Sequence, residues 1–564
     1  YRTEGTILRD LDREPTVTEL EPLIEAFLDE EFEAAPVTAS GLGLTAYDER
    51  LDDLSAAAFE ARDASAVRWL ARFEALDAAG LSPAEAIDRD LLGAVLRGRV
   101  ILADWLNWRR DPLTYTNPIA NGLFGLFLHR LRPDAELAAA ATARLQQAPV
   151  ALAAGRANLD AALAHPLIVR RAMGSARALA RYVRDLLPAE VTEPAGRARM
   201  AAAGAEAATA LDAFAAHLED LATRATGTWQ LGEERYSRLL REREALPHDA
   251  RSLRRRGQAE YDRLAAEMRD LARRSAGTED VEAVLAAANR VHAPTEEAMR
   301  QRYESWTERA RAFLRQTGLV TLPDGERCLV EPSPVFQRPV LGVASYSSPP
   351  AFSASLTGHF FVPFAPDGTP DAEIQQRLEH NNDAEIPTTS VHEAYPGHHW
   401  HLVMRKAQPS RVRRVYGTPY FSEGWALYAE RAMREQGFFD EPIQELFHLN
   451  ATRFRAARIV VDTSLHLGEM TEDEAIAFMV TRAAMPEPTA RAEVGRYCAW
   501  PTQASSYLTG CLEILRIRDR WLAAHGHAGP AGGAPVALLR QFHDSLTSSG
   551  ALPLGLAERA VMGG

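Results

Sequence analysis

The segment 388–401 limits what this chain of 564 residues can fold into more than any other part of it. It reads TTSVHEAYPGHHWH and holds four of the 16 histidines, all between His392 and His401. A glutamate directly after the first histidine is the general-base position of the His-Glu-x-x-His zinc hydrolases, in which two histidines on one helix face bind the metal. Here Pro396 stands where the second histidine would be. A metal site at this point therefore requires a helix that is not straight.

Two residues could supply the second histidine ligand. On a straight helix His398 lies about 120° from the face of His392, and His399 returns to that face about 10 Å along the axis, so neither would share a metal with it. Pro396 lacks an N–H group and clashes with the preceding turn, and Gly397 accepts unusual dihedral angles. We therefore predict a bulge at Pro396 and Gly397 that brings His398 beside His392. A loop whose histidines only cap a helix is the alternative.

The segment 420–430, YFSEGWALYAE, supplies a candidate third ligand. Two histidines leave a tetrahedral zinc one protein ligand short if water is to hold the fourth position. Glu423 and Glu430 are seven residues apart and project from one face of a predicted helix. We predict Glu423 as the third ligand and Glu430 as the residue that orients a histidine. Solvent-exposed glutamates are the alternative, which the aromatic neighbours of Glu423 disfavour.

Two further segments carry polar residues in patterns that suit a catalytic site. Arg455, Arg458, Asp462 and His466 form a single polar stripe on a predicted helix, which suits a network behind metal ligands, an arginine that binds a substrate carboxylate, or simply a solvated face. A hydrolase also needs a donor to the developing oxyanion, and Tyr507 is our candidate, with Tyr497 as the second. Both tyrosines could instead be core residues.

The rest of the chain is patterned mainly as helix. Apolar residues recur at helical spacing from the start to about Gly318, and helices return from Asp371. Between them the segments 320–322, 328–330 and 358–362 are predicted strands, and 346–350 is a predicted loop. We expect a mainly α fold with an N-terminal helical lobe, 1–319, and a catalytic lobe, 320–564. The second lobe would hold a small sheet (320–364) and the zinc-site helices (387–520), and the two lobes could pack as one continuous domain.

The amino-acid composition indicates which classes of binding partner and which compartment to expect. A net charge of −14 disfavours nucleic acid, whose phosphates attract basic surfaces. No stretch of about 20 apolar residues is present, so no membrane partner is expected. Three scattered cysteines suit a reducing compartment. We predict a cytoplasmic protein, with a secreted form whose signal peptide has been removed as the alternative. Nothing in the sequence indicates an oligomeric state.

Taken together, these segments resemble the bacterial family catalogued as domain of unknown function 885, over about residues 380–515. The residues that carry the resemblance are His392-Glu393-x-x-Pro396-Gly397-His398-His399, Glu423-Gly424-Trp425-Ala426-Leu427-Tyr428-Ala429-Glu430, Arg455-x-x-Arg458-x-x-x-Asp462-x-x-x-His466 and Pro501-x-Gln503-Ala504-x-x-Tyr507. The family in turn resembles helical zinc peptidases such as thimet oligopeptidase, angiotensin-converting enzyme and the Thermus-type carboxypeptidase. That resemblance implies a large, cleft-bearing helical fold with a small sheet beside the metal. It also favours His398 over His399 as a ligand.

The sequence thus predicts a metallohydrolase, specifically a zinc-dependent metallopeptidase that acts on short peptides as a carboxypeptidase or oligopeptidase. His392, His398 and Glu423 would hold Zn²⁺, Glu393 would carry the proton from the attacking water to the leaving amine, and Tyr507 would stabilise the oxyanion. Residues expected behind the ligands or at the substrate are His399, Glu430, Arg455, Arg458, Asp462, His466, Arg496 and Tyr497. The alternatives are a metal-dependent hydrolase of another amide or ester, and a non-catalytic helical binding protein.

Overall fold

The computed structural model describes residues 19–335, 337–338 and 343–563. The described chain is mainly α-helical with one small sheet, which confirms the predicted fold class. The helices before the sheet are α1 Leu20–Ala34, α2 Pro36–Gly41, α3 Ala56–Glu74, α4 Pro83–Ala103, α5 Asn107–Arg110, α6 Leu113–His129, α7 Asp134–Asn158, α8 Pro166–Arg181, α9 Pro194–Arg224, α10 Glu233–Arg238, α11 Ala250–Ala276, α12 Val281–Asn289 and α13 Glu296–Thr317. Those after it are α14 Asp371–His380, α15 Ile386–Glu393, α16 His398–Lys406, α17 Arg411–Val415, α18 Pro419–Glu435, α19 Pro442–His466, α20 Glu472–Arg482, α21 Glu487–Ala499, α22 Ser506–Ala524, α23 Val536–Ser548 and α24 Leu554–Met562.

The sheet has three strands, β1 Arg327–Pro332, β2 Ser345–Ser347 and β3 Thr357–Val362. β3 lies in the centre, parallel to β1 and antiparallel to β2. Two of the predicted strands are therefore confirmed, whereas the strand predicted at 320–322 is wrong. There the Thr321 N–H donates to the Asp544 carboxylate and the Thr321 carbonyl accepts from the Trp400 indole, so side chains satisfy the backbone. The loop predicted at 346–350 is wrong at its start, because Tyr346 and Ser347 pair with β3.

In the described ranges, the buried apolar side chains form two clusters. One is built mainly from the alanine-rich helices α6 to α9. The other joins most of the remaining helices to the sheet. This second cluster spans the predicted lobe boundary, since the Tyr303 ring of α13 meets the Phe360 ring of β3 edge to face at 5.5 Å. The division at residue 319 stays a prediction. Within the described ranges, no helix combines the length and the apolar character that crossing a membrane would need.

A close helix crossing holds the elements that carry the candidate site. Helix α18 bears Glu423 and Glu430, and it packs on α22, which bears Tyr507. The two helices meet at glycines: a Cβ atom on Gly510 would overlap the Tyr420 carbonyl, and one on Gly424 would overlap the Gly510 backbone. Only residues without a side chain allow the two backbones to approach this closely.

Substitution of Gly510 with alanine should therefore destabilise the protein. The added methyl group must push α22 away from α18, and such overpacking typically costs about 1–3 kcal/mol in the free energy of unfolding. Urea denaturation would measure this. Gly174→Ala is the matched control, because Gly174 lies inside α8 with no atom within 4 Å of an added Cβ, so alanine there should stabilise by about 0.5–1 kcal/mol. Equal unfolding midpoints for the two variants would contradict the packing argument.

Candidate metal centre

The histidine segment is folded as two helices with a tight turn between them. Helix α15 ends at Glu393 and α16 begins at His398, and the Tyr395–Pro396 peptide bond is cis. The indole N–H of Trp425 donates to the Pro396 carbonyl at 2.8 Å. A Cβ atom on Gly397 would overlap the carbonyl oxygens at the end of α15. The deformation lies where the sequence predicts it, but it is a complete break and not a bulge within one helix, because the turn passes too close to α15 for the helix to continue.

The break brings three side chains together. Ligand atoms of His392, His398 and Glu423 lie within 4.8 Å of one another. The Glu423 Oε2 atom is 3.6 Å from His392 Nε2 and 3.3 Å from His398 Nε2. Zinc bonds of about 2.0–2.1 Å in tetrahedral geometry would place ligand atoms roughly 3.3–3.5 Å apart. Two nitrogens and one carboxylate oxygen at this spacing fit Zn²⁺, and three protein ligands leave a fourth position free.

His399 lies on the other side of α16. Its Nε2 is 2.8 Å from a Glu326 carboxylate oxygen, and its Nδ1 is 2.9 Å from the Tyr346 hydroxyl. Burial lowers the pKa of His399, so the ring is neutral. Its Nε2–H then donates to Glu326, and its Nδ1 accepts from Tyr346. Successive helix residues differ by about 100°, which is why His398 faces the cluster and His399 cannot.

Glu430 supports His392 from behind. Its carboxylate is fully buried, with one oxygen 2.7 Å from His392 Nδ1 and the other 3.1 Å from His448 Nδ1. Burial raises the pKa of Glu430, but the hydrogen bonds from the two histidines outweigh burial and lower the pKa to about 2. An ionised Glu430 accepts the Nδ1–H of His392 and leaves the Nε2 lone pair free to face Glu423 and His398.

Replacement of Glu430 with glutamine should weaken metal binding about 10–100-fold, the usual cost of losing a carboxylate behind a histidine ligand. The amide keeps the shape of the Glu430 side chain but lacks its negative charge. That charge strengthens the His392 imidazole as a metal ligand. Competition against a zinc chelator dye would measure the dissociation constant. Glu441→Gln, at an exposed position just before α19, is the control and should bind metal like the wild type. Equal affinities for both variants would show that Glu430 does not act on the metal site.

Glu393 lies next to the cluster, and its environment suits a base. The side chain is buried, and burial raises the pKa of its carboxyl, opposed by the charges of His392 and His398 and reinforced by Glu423. A raised pKa makes a carboxylate a better proton acceptor near neutral pH. The positive charge of Arg455 also acts on Glu393. Arg455 donates from Nη1 to the Ala451 carbonyl, and its buried Nε has no hydrogen-bond partner within the described ranges.

Tyr507 stands beside the first histidine. Its ring is nearly parallel to that of His392, with ring centres 6.5 Å apart. The Gln503 amide donates to its hydroxyl at 3.4 Å, and the Arg458 guanidinium lies 4.7 Å from its ring centre. Burial raises the pKa of Tyr507, and the charge of Glu423 adds to the effect. The hydroxyl therefore stays protonated and can donate a hydrogen bond.

Arg458 and Arg496 share one carboxylate. Both donate from Nη2 to Glu493 Oε2, at 2.8 and 2.9 Å, and the Tyr497 hydroxyl donates to the same oxygen at 2.7 Å. Burial opposes ionisation of Glu493, but the two arginines hold its pKa well below the usual range. The group is thus a closed ion network next to Tyr507, and Tyr497 takes part in it without contacting the metal cluster.

The structure does not bring Asp462 and His466 to the cluster. Asp462 accepts from the Tyr236 hydroxyl at 2.6 Å. His466 accepts at Nδ1 from the Leu231 N–H and lies 3.0 Å at Nε2 from the Tyr497 carbonyl. Both side chains are fully buried, and they fix the segment before α10 and the end of α21 onto α19.

Residues that the sequence reasoning missed surround the site. Glu326 anchors His399, and Tyr346 packs its ring 6.5 Å from that of His398. No local pattern marks either one, since Glu326 lies in a connection and Tyr346 in a segment predicted as loop. His448 could have been found: it lies seven residues before Arg455, on the same face of α19 as the polar stripe.

A cleft of ≈ 430 Å³ combines residues from both predicted lobes, and neither the three clustered ligands nor Glu393 and Tyr507 line it. Gln503, which contacts Tyr507, forms part of its wall, as does Tyr420, one helical turn before Glu423 on α18. Arg243 also lines the cleft, and its buried Nη1 has no hydrogen-bond partner in the part of the chain that the structure describes. The volume is typical of small-ligand sites.

The model of the family described as "Bacterial protein of unknown function (DUF885)" matches residues 36–561. The chain belongs to the DUF885 family. This confirms the resemblance and extends it far beyond residues 380–515, into the N-terminal helices. No curated protein matches the chain.

Two solved structures share the fold of this DUF885 protein. One is a "putative lipoprotein of unknown function" from Shewanella oneidensis, with a TM-score of 0.77 and 21% identity, covering 97% of this chain and 100% of that one. The other is a "putative lipoprotein" from Colwellia psychrerythraea, with a TM-score of 0.79 and 19% identity, covering 96% of this chain and 98% of that one. At such low identity the two structures establish the fold alone.

Proposed function

We propose that this DUF885 protein is a zinc-dependent metallopeptidase that acts on short peptides. The observation that carries the proposal is the convergence of His392, His398 and Glu423, with ligand atoms 3.3 and 3.6 Å apart at the shared carboxylate. Glu393 follows directly after the first of these ligands. An ion-pair cluster with no catalytic role would need no base at that position.

Each residue of the site has a distinct task in this proposal. Zn²⁺ held by the three ligands would supply a Lewis acid that activates water and polarises the scissile carbonyl. Glu393, whose pKa is raised by burial, accepts a proton from the attacking water and passes it to the leaving amine. Glu430 holds His392 in the tautomer that presents Nε2. Tyr507 donates its hydroxyl hydrogen bond to the developing oxyanion.

The cleft supports a peptide of a few residues as the substrate. Trp105 and Trp500 line it, and the exposed ring of Trp500 offers a flat apolar surface to a side chain, whereas the Arg110 guanidinium stacks over the Trp105 ring at 3.8 Å. Arg458 and Arg496 both bond to Glu493 and do not line the cleft, whereas Arg243 lines it and its Nη1, 3.9 Å from Glu244, has no hydrogen-bond partner among the described residues, so Arg243 is our candidate for binding a substrate carboxylate. A carboxypeptidase or oligopeptidase activity would follow from such a contact.

For the location, the descriptions of the two solved relatives as putative lipoproteins favour the alternative of a secreted protein, and they add that of a membrane-anchored one. The cytoplasmic location predicted from the cysteine count gains no support from them.

The decisive experiment combines metal analysis with a substrate panel. Purified wild-type protein should contain about one zinc per chain, and His392→Ala should contain almost none. Short peptides, N-acyl amino acids and simple esters should then be tested with zinc-loaded protein. Peptide cleavage lost in His392→Ala supports the proposal, and cleavage of only the esters or acyl amino acids supports the other hydrolase. A metal-free wild type whose melting temperature is insensitive to chelation would favour a binding protein.

A further inference from the structure

A second polar cavity lies at the far end of α16. Its volume is ≈ 130 Å³, and Arg405 and Lys406 from the last turn of α16 line it together with Arg414 of α17 and the loop after β2. His398 and Lys406 are the first and last of the nine residues of α16, so they are about 12 Å apart along the helix axis. The cavity is therefore distinct from the metal cluster, and its chemistry does not depend on the proposed function.

The three cations of this cavity have no anionic partner among the described residues. Arg414 makes no ion pair, and its guanidinium only stacks over the Phe352 ring at 5.1 Å. Arg405 donates from Nε to the Arg413 carbonyl. Lys406 donates to the carbonyls of Pro350, Ser353 and Ser355, which satisfy its hydrogen bonds without neutralising its charge.

The other two arginines of α17 do have anionic partners. Arg411 pairs with Glu25, and Arg413 pairs with Asp88. In a chain with a net charge of −14, acidic residues are abundant. Arg414 therefore differs from the two paired arginines of its own helix, and it shares the cavity wall with Arg405 and Lys406 of α16, which also lack an ion pair among the described residues.

Two nitrogens of residues that line the cavity have no hydrogen-bond partner among the described residues. Arg405 Nη2 and Arg414 Nε are both buried and without a hydrogen bond in the described part of the chain. A buried donor left unpaired destabilises the folded protein, and more so when it is charged. Burial also lowers the pKa of Arg405 to about 10 and that of Lys406 to about 8. The negative end of the α16 dipole offsets a fraction of this charge but offers these nitrogens no acceptor.

We propose that this cavity binds a small oxyanion with more than one negative charge, of which inorganic phosphate and sulfate are the simplest. Guanidinium groups match the oxygens of such ions, and an ammonium adds a point charge. The volume exceeds the roughly 10–15 Å³ that one water requires, so a group of several atoms enters. Three positive charges favour a dianion over a monovalent carboxylate or halide. The oxyanion is either a free ion or the end of a larger phosphate ester.

Calorimetric titration with inorganic phosphate at constant ionic strength tests the proposal. Wild-type protein should bind one phosphate per chain and melt at a higher temperature as phosphate rises. Arg414→Gln should weaken binding at least about tenfold, because a charge-assisted hydrogen bond is lost. This variant loses no ion pair, so it should fold. Arg315→Gln, at an exposed position of α13, is the matched control and should bind like the wild type.

Further measurements distinguish where the anion binds and whether the ligand is a free ion or the end of a phosphate ester. His398→Ala should bind phosphate normally; binding lost there but kept in Arg414→Gln would place the anion at the metal cluster and overturn the proposal. The absence of saturable phosphate binding to the wild type would also overturn the proposal. Acetate that binds as tightly as phosphate would do the same. Phenyl phosphate that binds as well as phosphate identifies an ester end as the ligand, and much weaker binding identifies the free ion.

Discussion

Glu393→Gln should abolish peptide hydrolysis and leave zinc bound. A positioned general base contributes about 10²–10⁴-fold to a rate, so kcat should fall by at least that factor while KM changes little. The amide occupies the same volume in the buried site but cannot accept the proton of the attacking water. Because Glu393 is not one of the three clustered ligands, the metal content should stay at the wild-type level. Steady-state kinetics and metal analysis on the same preparation measure both.

The control for this prediction is Glu373→Gln, at an exposed position in the first turn of α14. It removes the same charge from the protein far from the ligands, and its kcat should equal that of the wild type. Full activity of zinc-loaded Glu393→Gln would refute the assigned role. Loss of zinc from that variant would instead mean that Glu393 itself binds the metal.

The parts of the site that could be predicted from sequence follow from the repeat of the α-helix. Glu423 and Glu430 are seven residues apart on one helix, so they face the same neighbour, and the structure places both against His392. The same geometry separates His398 from His399, because one step along a helix turns the side chain by about 100°. Such relations need only the knowledge that a segment is helical.

Contacts between distant segments could not be predicted in this way. Glu326 reaches His399 from 73 residues away, and the pairing depends on where β1 and α16 pack. Asp462 and His466 lie on the predicted polar stripe, yet they bond to Tyr236 and to the Leu231 N–H and not to a residue of the metal cluster. A polar stripe shows that one face of a helix is polar. Tertiary packing decides which neighbouring residues form hydrogen bonds with its side chains.

His398→Ala and His399→Ala should fail in opposite ways. Removal of His398 takes away one of three ligands, so zinc affinity should fall by more than the roughly 100-fold cost of losing a residue behind a ligand, and activity should vanish. In the metal-free protein the Glu423 carboxylate would lose the imidazole 3.3 Å away but keep His392 at 3.6 Å, so only part of its electrostatic support should be lost. Removal of His399 should leave zinc affinity within about tenfold of the wild type, because its ring faces Glu326 and Tyr346.

The cost of His399→Ala should appear in stability. Glu326 and Tyr346 would each lose a buried hydrogen-bond partner, which costs about 1–3 kcal/mol in the free energy of unfolding. Urea denaturation of metal-free protein and a zinc competition titration separate the two effects. His380→Ala, at an exposed position at the end of α14, controls for the loss of an imidazole and should change neither quantity. If His399→Ala lost zinc and His398→Ala kept it, the turn at Pro396 and Gly397 would have to place the second histidine differently, and the candidate metal centre would be wrong.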